Sequence, residues 1–177
     1  VVDENAYVEG SVSNSGTTEN NGIIAGEVDN TGDFVNKGNV DNNVLNHGNG
    51  TFENAGNLNG QLENEDNAKT ENSGAINQVK QDGGEVVNGQ GGKITDYQQN
   101  DGTLRNESKG NITNLTQNGG KTNNEGTIEI GNIKNLDDYN GKVPEEGLPH
   151  IGATVSYVDA DGNKKTEYFE DLEKALE

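Results

Sequence analysis

Glu53 and Glu71 occupy equivalent positions in neighbouring copies of a sequence repeat, and paired carboxylates are the groups that glycoside hydrolases use. Such neighbours are expected by chance, because 31 of the 177 residues are acidic. Other reactive side chains are few: Arg105 is the only arginine, and the histidines are His47 and His150. No Ser/His/Asp set, phosphate-binding loop or metal-ligand spacing occurs. We therefore predict that the chain is not an enzyme and has no catalytic residues.

The segment Asp159-Ala-Asp-Gly-Asn163 clusters oxygen ligands of the kind that Ca²⁺ prefers. Its glycine stands fourth rather than sixth, and strand-like segments flank it, unlike the helix-flanked calcium loop. Asp-Gly pairs are also common in hairpin turns. We favour a hairpin turn here, and we predict no metal and no cofactor.

The composition limits the classes of partner. The net charge is −19, so nucleic acids and anionic membranes would be repelled, and we expect neither as a partner. No apolar run is long enough to span a bilayer, so we expect no membrane insertion within this segment. Only 27% of the residues are hydrophobic, which is close to the composition of disordered proteins.

A strict alternation argues against disorder. From Asn14 to Ile76 the even-numbered residues are Asn, Gly, small or apolar with one exception, Asp66, whereas the odd-numbered ones include most of the charged residues. Alternate side chains of an extended chain point to opposite faces. The even-numbered residues are therefore predicted to face a core.

A longer repeat overlies this alternation. Asn-x-Gly and close variants divide the chain into alternating long and short arms, and the long arms begin 16 or 18 residues apart. Repeats of this length suit one coil of a parallel β-solenoid. We predict an all-β fold, a solenoid of about seven 16–18-residue coils. In the later coils we expect a bulge or a wider corner.

Inside the coils, stacked Asn side chains can hydrogen-bond from one coil to the next as a ladder. Two such ladders are predicted. They contain Asn20, Asn36, Asn54, Asn72, Asn88, Asn106 and Asn124 at the starts of long arms, and Asn30, Asn46, Asn64, Asn100 and Asn118 at the starts of short arms.

Each coil is also predicted to bury a few larger side chains, with Phe34 stacked on Phe52. We expect Gly26 and Gly60 to let opposing walls of the solenoid approach closely.

We predict three segments: the β-solenoid at 1–134, a linker or cap at 135–152, and a β-hairpin followed by the start of a helix at 153–177. The chain begins at Val1 rather than Met and ends in a helical pattern, so we expect it to be a segment of a longer protein.

The final segment resembles a strand–strand–helix unit of large repetitive surface proteins of Gram-positive gut bacteria of the Firmicutes type. The residues that carry this resemblance are Val155-Ser-Tyr-Val-Asp159, Tyr168, Leu172, Glu173, Ala175 and Leu176. The coil region separately resembles the Asn/Gly-rich β-solenoid stalks of bacterial adhesins. Both resemblances imply an extracellular, cell-surface stalk or adhesin segment, with a host or microbial surface protein or a glycan as its partner.

β-Solenoids also have two other functions, which make different demands on the outward side chains. A carbohydrate-binding or carbohydrate-processing β-helix is the main alternative; it should place several aromatic side chains outward, and Tyr97 is the one candidate in the coils. An ice-binding face needs a regular outward array of Thr. The predicted outward column of the short arms is too mixed for that: Asp33, Asn49, Asn67, Glu85, Thr103 and Lys121.

Overall fold

The computed structural model describes residues 1–142 and 144–146, and the backbone of two strands at 153–158 and 164–169. The chain divides into two compact units, Val1–Glu146 and Gly147–Glu177. The first unit is a parallel β-solenoid, which confirms the predicted fold class.

Most of the described strands are short and end at an Asn or a Gln residue. In chain order they are β1 (Tyr7–Val8), β2 (Val12–Asn14), β3 (Thr17–Asn20), β4 (Ile23–Ile24), β5 (Val28–Asn30), β6 (Asp33–Asn36), β7 (Asn39–Val40), β8 (Val44–Asn46), β9 (Thr51–Asn54), β10 (Asn57–Asn64), β11 (Lys69–Asn72), β12 (Ala75–Gln81), β13 (Glu85–Asn88), β14 (Lys93–Gln99), β15 (Thr103–Asn106), β16 (Asn111–Gln117), β17 (Lys121–Asn124), β18 (Thr127–Ile133), β19 (Tyr139–Gly141), β20 (Ala153–Val158) and β21 (Lys164–Phe169).

Two parallel sheets form the solenoid. The eight-stranded sheet contains β3, β6, β9, β11, β13, β15, β17 and β19, and the remaining strands up to β18 form the eleven-stranded sheet. Each coil contributes one short arm to the first sheet and one long arm to the second. Eight strands in the first sheet correspond to eight coils, one more than predicted, because the residues before Asn20 complete a coil of their own.

The core is a set of columns that run from coil to coil. Between residues 14 and 76 every buried residue is even-numbered, as the alternation predicts. Phe34 and Phe52 are fully buried and pair in register, with ring centroids 5.9 Å apart at an interplanar angle of 45°. An aromatic pair of this geometry adds about 0.5–1.5 kcal/mol beyond the area that it buries.

Glycines mark the places where successive coils approach most closely. A Cβ atom on Gly60 would lie 2.4 Å from the backbone carbon of Asn42, and one on Gly26 would lie 2.3 Å from that of Gly10. The prediction that these glycines bring opposing walls together was therefore wrong: both contacts are with the backbone of the preceding coil. Stacking on the preceding coil therefore leaves no room for a Cβ atom at Gly26 or Gly60.

The first unit extends beyond the predicted boundary at residue 134. A 3₁₀ turn at Leu136–Asp138 leads into β19, which pairs with β17, and Glu146 forms a bridge with Ile130. Of the two alternatives predicted for 135–152, a linker or a cap, the described residues 135–142 and 144–146 act as a cap. β19 completes the last coil by pairing with β17 of the coil before it, and residues 145 and 146 cover the edge of β18 through backbone hydrogen bonds.

The second unit contains an antiparallel hairpin. Ala153 pairs with Phe169 and Val158 with Lys164, as predicted for this segment. The predicted turn at 159–163 and the predicted helix start at 171–177 lie outside the described residues.

Candidate functional site

One continuous amide ladder runs along the solenoid interior at the corner where each short arm ends. Each amide donates to the side-chain oxygen of the corresponding Asn in the next coil, and each side chain is at most 1% exposed. We call this the long ladder. The six links have N–O distances of 2.8–2.9 Å and join Asn20, Asn36, Asn54, Asn72, Asn88, Asn106 and Asn124.

The long ladder also fastens the backbone at its corner. The Asn20 amide donates to the Asn39 carbonyl at 3.1 Å, and the amide of Asn36 makes the equivalent bond to the Asn57 carbonyl. At its end, the Asn124 amide donates to the Tyr139 hydroxyl at 2.9 Å. Burial raises the pKa of Tyr139 to about 12, although the bond from Asn124 acts in the opposite direction.

The second predicted ladder is shorter than expected. Asn30, Asn46 and Asn64 are linked as predicted, and Asn14 extends the series at its start. We call these four residues the short ladder. It stops at Asn64, whose amide donates to two backbone carbonyls, those of Ala68 and Gly83.

Glutamines occupy the interior position in the later coils. Gln81, Gln99 and Gln117 are buried there, whereas Asn118 is exposed and Asn100 is only partly buried. The prediction of Asn100 and Asn118 as ladder residues was therefore wrong. Asn118 donates to Asn100 on the outer surface at 2.9 Å.

A change in the bend of the long arm causes this shift. The buried pair of an early long arm is four positions apart, as in Leu58 and Leu62, but in later coils it is three apart, as in Ile76 and Val79. The register between β10 and β12 shifts at the same point. With one residue fewer at the bend, the odd-numbered instead of the even-numbered side chains face inward from there to the next corner. The inward position therefore falls on the residue just before the predicted Asn. The recurrence of Gln at 81, 99 and 117 is the sequence signal for this position.

The glutamines bond differently from the asparagines because their amides reach corner carbonyls. Their side-chain oxygens need other donors: the Tyr97 hydroxyl donates to Gln81 at 2.7 Å, and the Thr122 hydroxyl donates to Gln99 at 2.6 Å. The Gln117 oxygen is buried without a hydrogen-bond partner among the described residues. Tyr97 is 2% exposed, and burial raises the pKa of its hydroxyl well above the usual value.

On the outer surface, many carboxylates accept hydrogen bonds from a neighbouring coil. Asn59 donates to Asp41 at 2.8 Å, and Asn114 donates to Asp96 at the same distance. Asp82 accepts from Asn100 and pairs with Lys80, and these contacts, led by Lys80, lower the pKa of Asp82. Such bonds between coils help the fold to tolerate its large negative charge.

The eight-stranded sheet has a groove of about 300 Å³ on its outer face, which we call the central groove. Its floor is a column of one residue from each of four consecutive coils: Val35, Glu53, Glu71 and Val87. Glu53 and Glu71 pair directly and are both exposed, so the structure brings the predicted carboxylate pair together. A carboxylate pair alone does not define a catalytic site.

Of the other candidate residues, His47 lies outside this groove and Arg105 lines it. His47 pairs with Asp29 at 2.7 Å, and Arg105, at one end of the groove, pairs with Glu85 and Glu107. Within the described residues, no three His, Cys, Asp or Glu side chains are grouped to hold a metal ion. His150 and Asp159–Asn163 lie outside the described part of the chain.

The outward column that the sequence analysis judged too mixed for ice binding also needs correction. Asn49 and Asn67 lie in corner turns, because these short arms are longer than the first ones, and Thr51 and Lys69 take their places in the register. The column is then Thr17, Asp33, Thr51, Lys69, Glu85, Thr103 and Lys121. Charged residues still interrupt the threonines.

Comparison of the chain with protein-family models, curated proteins and solved structures gives no match. In the part of the chain that the structure describes, no helix is long and apolar enough to cross a membrane.

Proposed function

We propose that the chain is a structural segment of a bacterial cell-surface protein, in which the solenoid acts as a stiff, acidic stalk that supports an interaction surface. The observation that carries this proposal is the long ladder, which links seven successive coils through buried side-chain hydrogen bonds. Backbone hydrogen bonds run in the same direction, parallel to the solenoid axis. A solenoid held in this way resists extension, since pulling a coil away breaks the ladder and the sheet bonds together.

The extracellular, cell-surface location in this proposal is supported by the resemblance to adhesin stalks. The acidic exterior also suits the role, because a net charge of −19 keeps neighbouring copies apart at moderate salt. The partner would be a host or microbial surface protein.

Glycan binding is the less favoured function. A groove for a glycan usually offers exposed aromatic rings for stacking, and Tyr97, the candidate in the coils, is buried. Among the described residues, Tyr7 is the exposed aromatic side chain, at 63%, and it lies in the first coil, away from the central groove.

Single-molecule force spectroscopy tests the stalk. The chain is pulled from its two ends between marker domains of known unfolding force. We expect a resolved unfolding event for the solenoid, and a lower force for Asn72→Ala, which interrupts the long ladder. Extension without a force peak, as for a flexible chain, would refute the proposal.

A further inference from the structure

We propose that Asn140, in the cap formed by residues 135–142 and 144–146, converts spontaneously to aspartate and isoaspartate, and that this conversion loosens the cap. The proposal goes beyond the stalk role, because it assigns a site of chemical modification to the end of the solenoid at which the long ladder finishes.

The chemistry is that of an asparagine followed by a glycine. The backbone nitrogen of the glycine gives up its proton and attacks the side-chain carbonyl carbon of the asparagine. The new N–C bond closes a cyclic succinimide, and the side-chain nitrogen leaves as ammonia. Water then opens the ring at either carbonyl, which yields aspartate or isoaspartate. Glycine favours the attack because it has no Cβ atom to crowd the ring.

Six asparagines of this chain precede a glycine, and all six lie in the part that the structure describes. They are Asn21, Asn49, Asn59, Asn88, Asn118 and Asn140. Two conditions decide which of them reacts: the glycine N–H must be available to lose its proton, and the asparagine side chain must be able to turn onto that nitrogen.

Asn140 meets both conditions. Asn140 and Gly141 are exposed, and they lie in β19, the last strand of the eight-stranded sheet. The Lys142 N–H donates to the Asn124 carbonyl of β17, so the Gly141 N–H, one residue earlier, points to the open edge of the sheet. It has no hydrogen-bond acceptor among the described residues. The Asn140 amide makes only a 3.4 Å contact, with the Asn123 side chain.

Asn88 meets neither condition, although the same glycine follows it. Its side chain is fully buried in the long ladder, where its amide donates to Asn106 at 2.8 Å. The Gly89 N–H donates to the Asn72 carbonyl, also at 2.8 Å. Reaction at Asn88 therefore requires the coil to open first.

Each of the other four pairs is also restrained. The Asn59 amide donates to Asp41 at 2.8 Å, and Asn59 lies within β10, which pairs with strands of the coils on both sides. In the remaining three pairs the glycine N–H donates within the fold, as it does in Gly22, Gly50 and Gly119. The Gly119 bond is the longest, at 3.4 Å, so Asn118 should be the next to react after Asn140.

The product disrupts the cap because both sides of Asn140 are anchored to one side chain. The Asn124 amide donates to the Tyr139 hydroxyl at 2.9 Å and to the Lys142 carbonyl at 2.7 Å. Isoaspartate lengthens the main chain by a methylene group between these anchors, so Tyr139 and Lys142 cannot both stay in register with β17. We expect the cap to release Asn124 and to leave the edge of β17 unpaired.

Ageing of the full 177-residue chain at mildly alkaline pH tests the modification site. Peptide mapping with mass spectrometry measures aspartate and isoaspartate at each of the six positions over time. In the folded chain, conversion at Asn140 should be at least about tenfold faster than at Asn88, where local opening must come first. In the urea-unfolded chain the two rates should be similar, because both residues precede a glycine.

Two variants of exposed asparagines separate this site from the other surface pairs. Asn140→Gln should abolish the fastest conversion, because a glutamine side chain closes a ring on the next nitrogen far more slowly. Asn118→Gln should leave that conversion unchanged. Circular dichroism verifies that both variants fold.

Side-chain hydrogen exchange reports the state of the cap. In the converted chain the Asn124 amide should exchange at least about tenfold faster than in fresh protein. In Asn140→Gln aged for the same time, its exchange should not change.

Equal rates at Asn140 and Asn88 in the folded chain, or faster conversion at any other pair, would overturn the modification site. Unchanged exchange of the Asn124 amide after conversion would overturn the loosening of the cap. The stalk is tested separately, since the unfolding force is measured on freshly prepared chain.

Discussion

Replacing Asn72 by alanine removes the middle link of the long ladder. Asn72 is 1% exposed; it accepts a hydrogen bond from Asn54 and donates one to Asn88, both at 2.9 Å. The variant therefore breaks two ladder bonds, and also the longer bond from the Asn72 amide to the Lys93 carbonyl at 3.4 Å, without touching the outer surface.

The expected loss in the free energy of unfolding depends on which hydrogen bonds Asn54 and Asn88 keep in the variant. The Asn54 amide still reaches the Ala75 carbonyl at 3.1 Å, so it is not left unsatisfied. The Asn88 side-chain oxygen loses its donor while buried, which costs about 1–3 kcal/mol, and each lost bond contributes about 1 kcal/mol. We expect the free energy of unfolding to fall by about 3 kcal/mol.

The assay is urea denaturation followed by far-ultraviolet circular dichroism. Asn77→Ala is the matched control, because Asn77 is exposed and its amide makes only a 3.4 Å contact with the Asn59 carbonyl. This control should change the free energy of unfolding by less than about 0.5 kcal/mol. Equal effects of the two variants would refute the claim that the interior amides hold the coils together.

The isosteric change Asn72→Asp tests the contribution of the amide group that donates to Asn88. Aspartate keeps the acceptor for Asn54 but places a carboxylate oxygen against the Asn88 oxygen. At neutral pH we expect a larger loss of stability than for Asn72→Ala, with partial recovery in acid, where a protonated carboxyl group can donate. No difference between the two variants would contradict this.

Three further changes test other parts of the account. Gln99→Ala should lower the free energy of unfolding by about 2 kcal/mol, because it removes the acceptor of the Thr122 hydroxyl. The exposed Asn118→Ala should lower it by less than about 0.5 kcal/mol. The reverse order in urea titrations would favour the ladder predicted from the sequence, with Asn118 inside. Gly56→Ala should cost about 1–3 kcal/mol, because its Cβ atom would lie 2.0 Å from the Gly38 carbonyl oxygen, whereas Gly16→Ala, with nothing within 4 Å, should be neutral by the same assay. The pKa of Asp82 is lowered in the folded state, so its ionised form stabilises the fold above the ordinary value of 3.8, and this contribution is lost as the pH falls through the folded pKa. Asp82→Asn should therefore flatten the decline of stability below about pH 4, and an unchanged slope would show that the contacts of Asp82 with Lys80 and Asn100 contribute nothing.

Much of the first unit could be predicted from the sequence, because the pattern repeats locally. A period of two fixes which side chains face inward, and an even spacing between repeats carries that assignment from coil to coil. The buried columns that contain Phe34, Phe52 and the long ladder follow from these two regularities.

The later coils could not be predicted in the same way. The loss of one residue at the bend is compensated at the next corner, so the spacing between long arms stays even and conceals the change of parity. Asn100 and Asn118 kept the expected spacing, and the inward glutamines one position earlier were missed. The sequence left a linker and a cap open for the residues after 134, since Leu136–Asp138 and β19 contain no copy of the Asn-x-Gly pattern.

The central groove lies at the limit of what the sequence could reveal. Glu53 and Glu71 were recognised as neighbours from their spacing. The engagement of Lys37 and Arg105 by other acids depends on side-chain positions across several coils. Spacing alone does not determine these contacts.

Hydrogen exchange of side-chain amides, measured by nuclear magnetic resonance, tests the amide ladders most directly. The side-chain NH₂ groups of Asn54, Asn72 and Asn88 should exchange far more slowly than those of Asn77 and Asn118, because the first three are buried in the long ladder and the last two are exposed. Equal, rapid exchange of all five groups would show that the interior of the solenoid is not built on asparagine ladders.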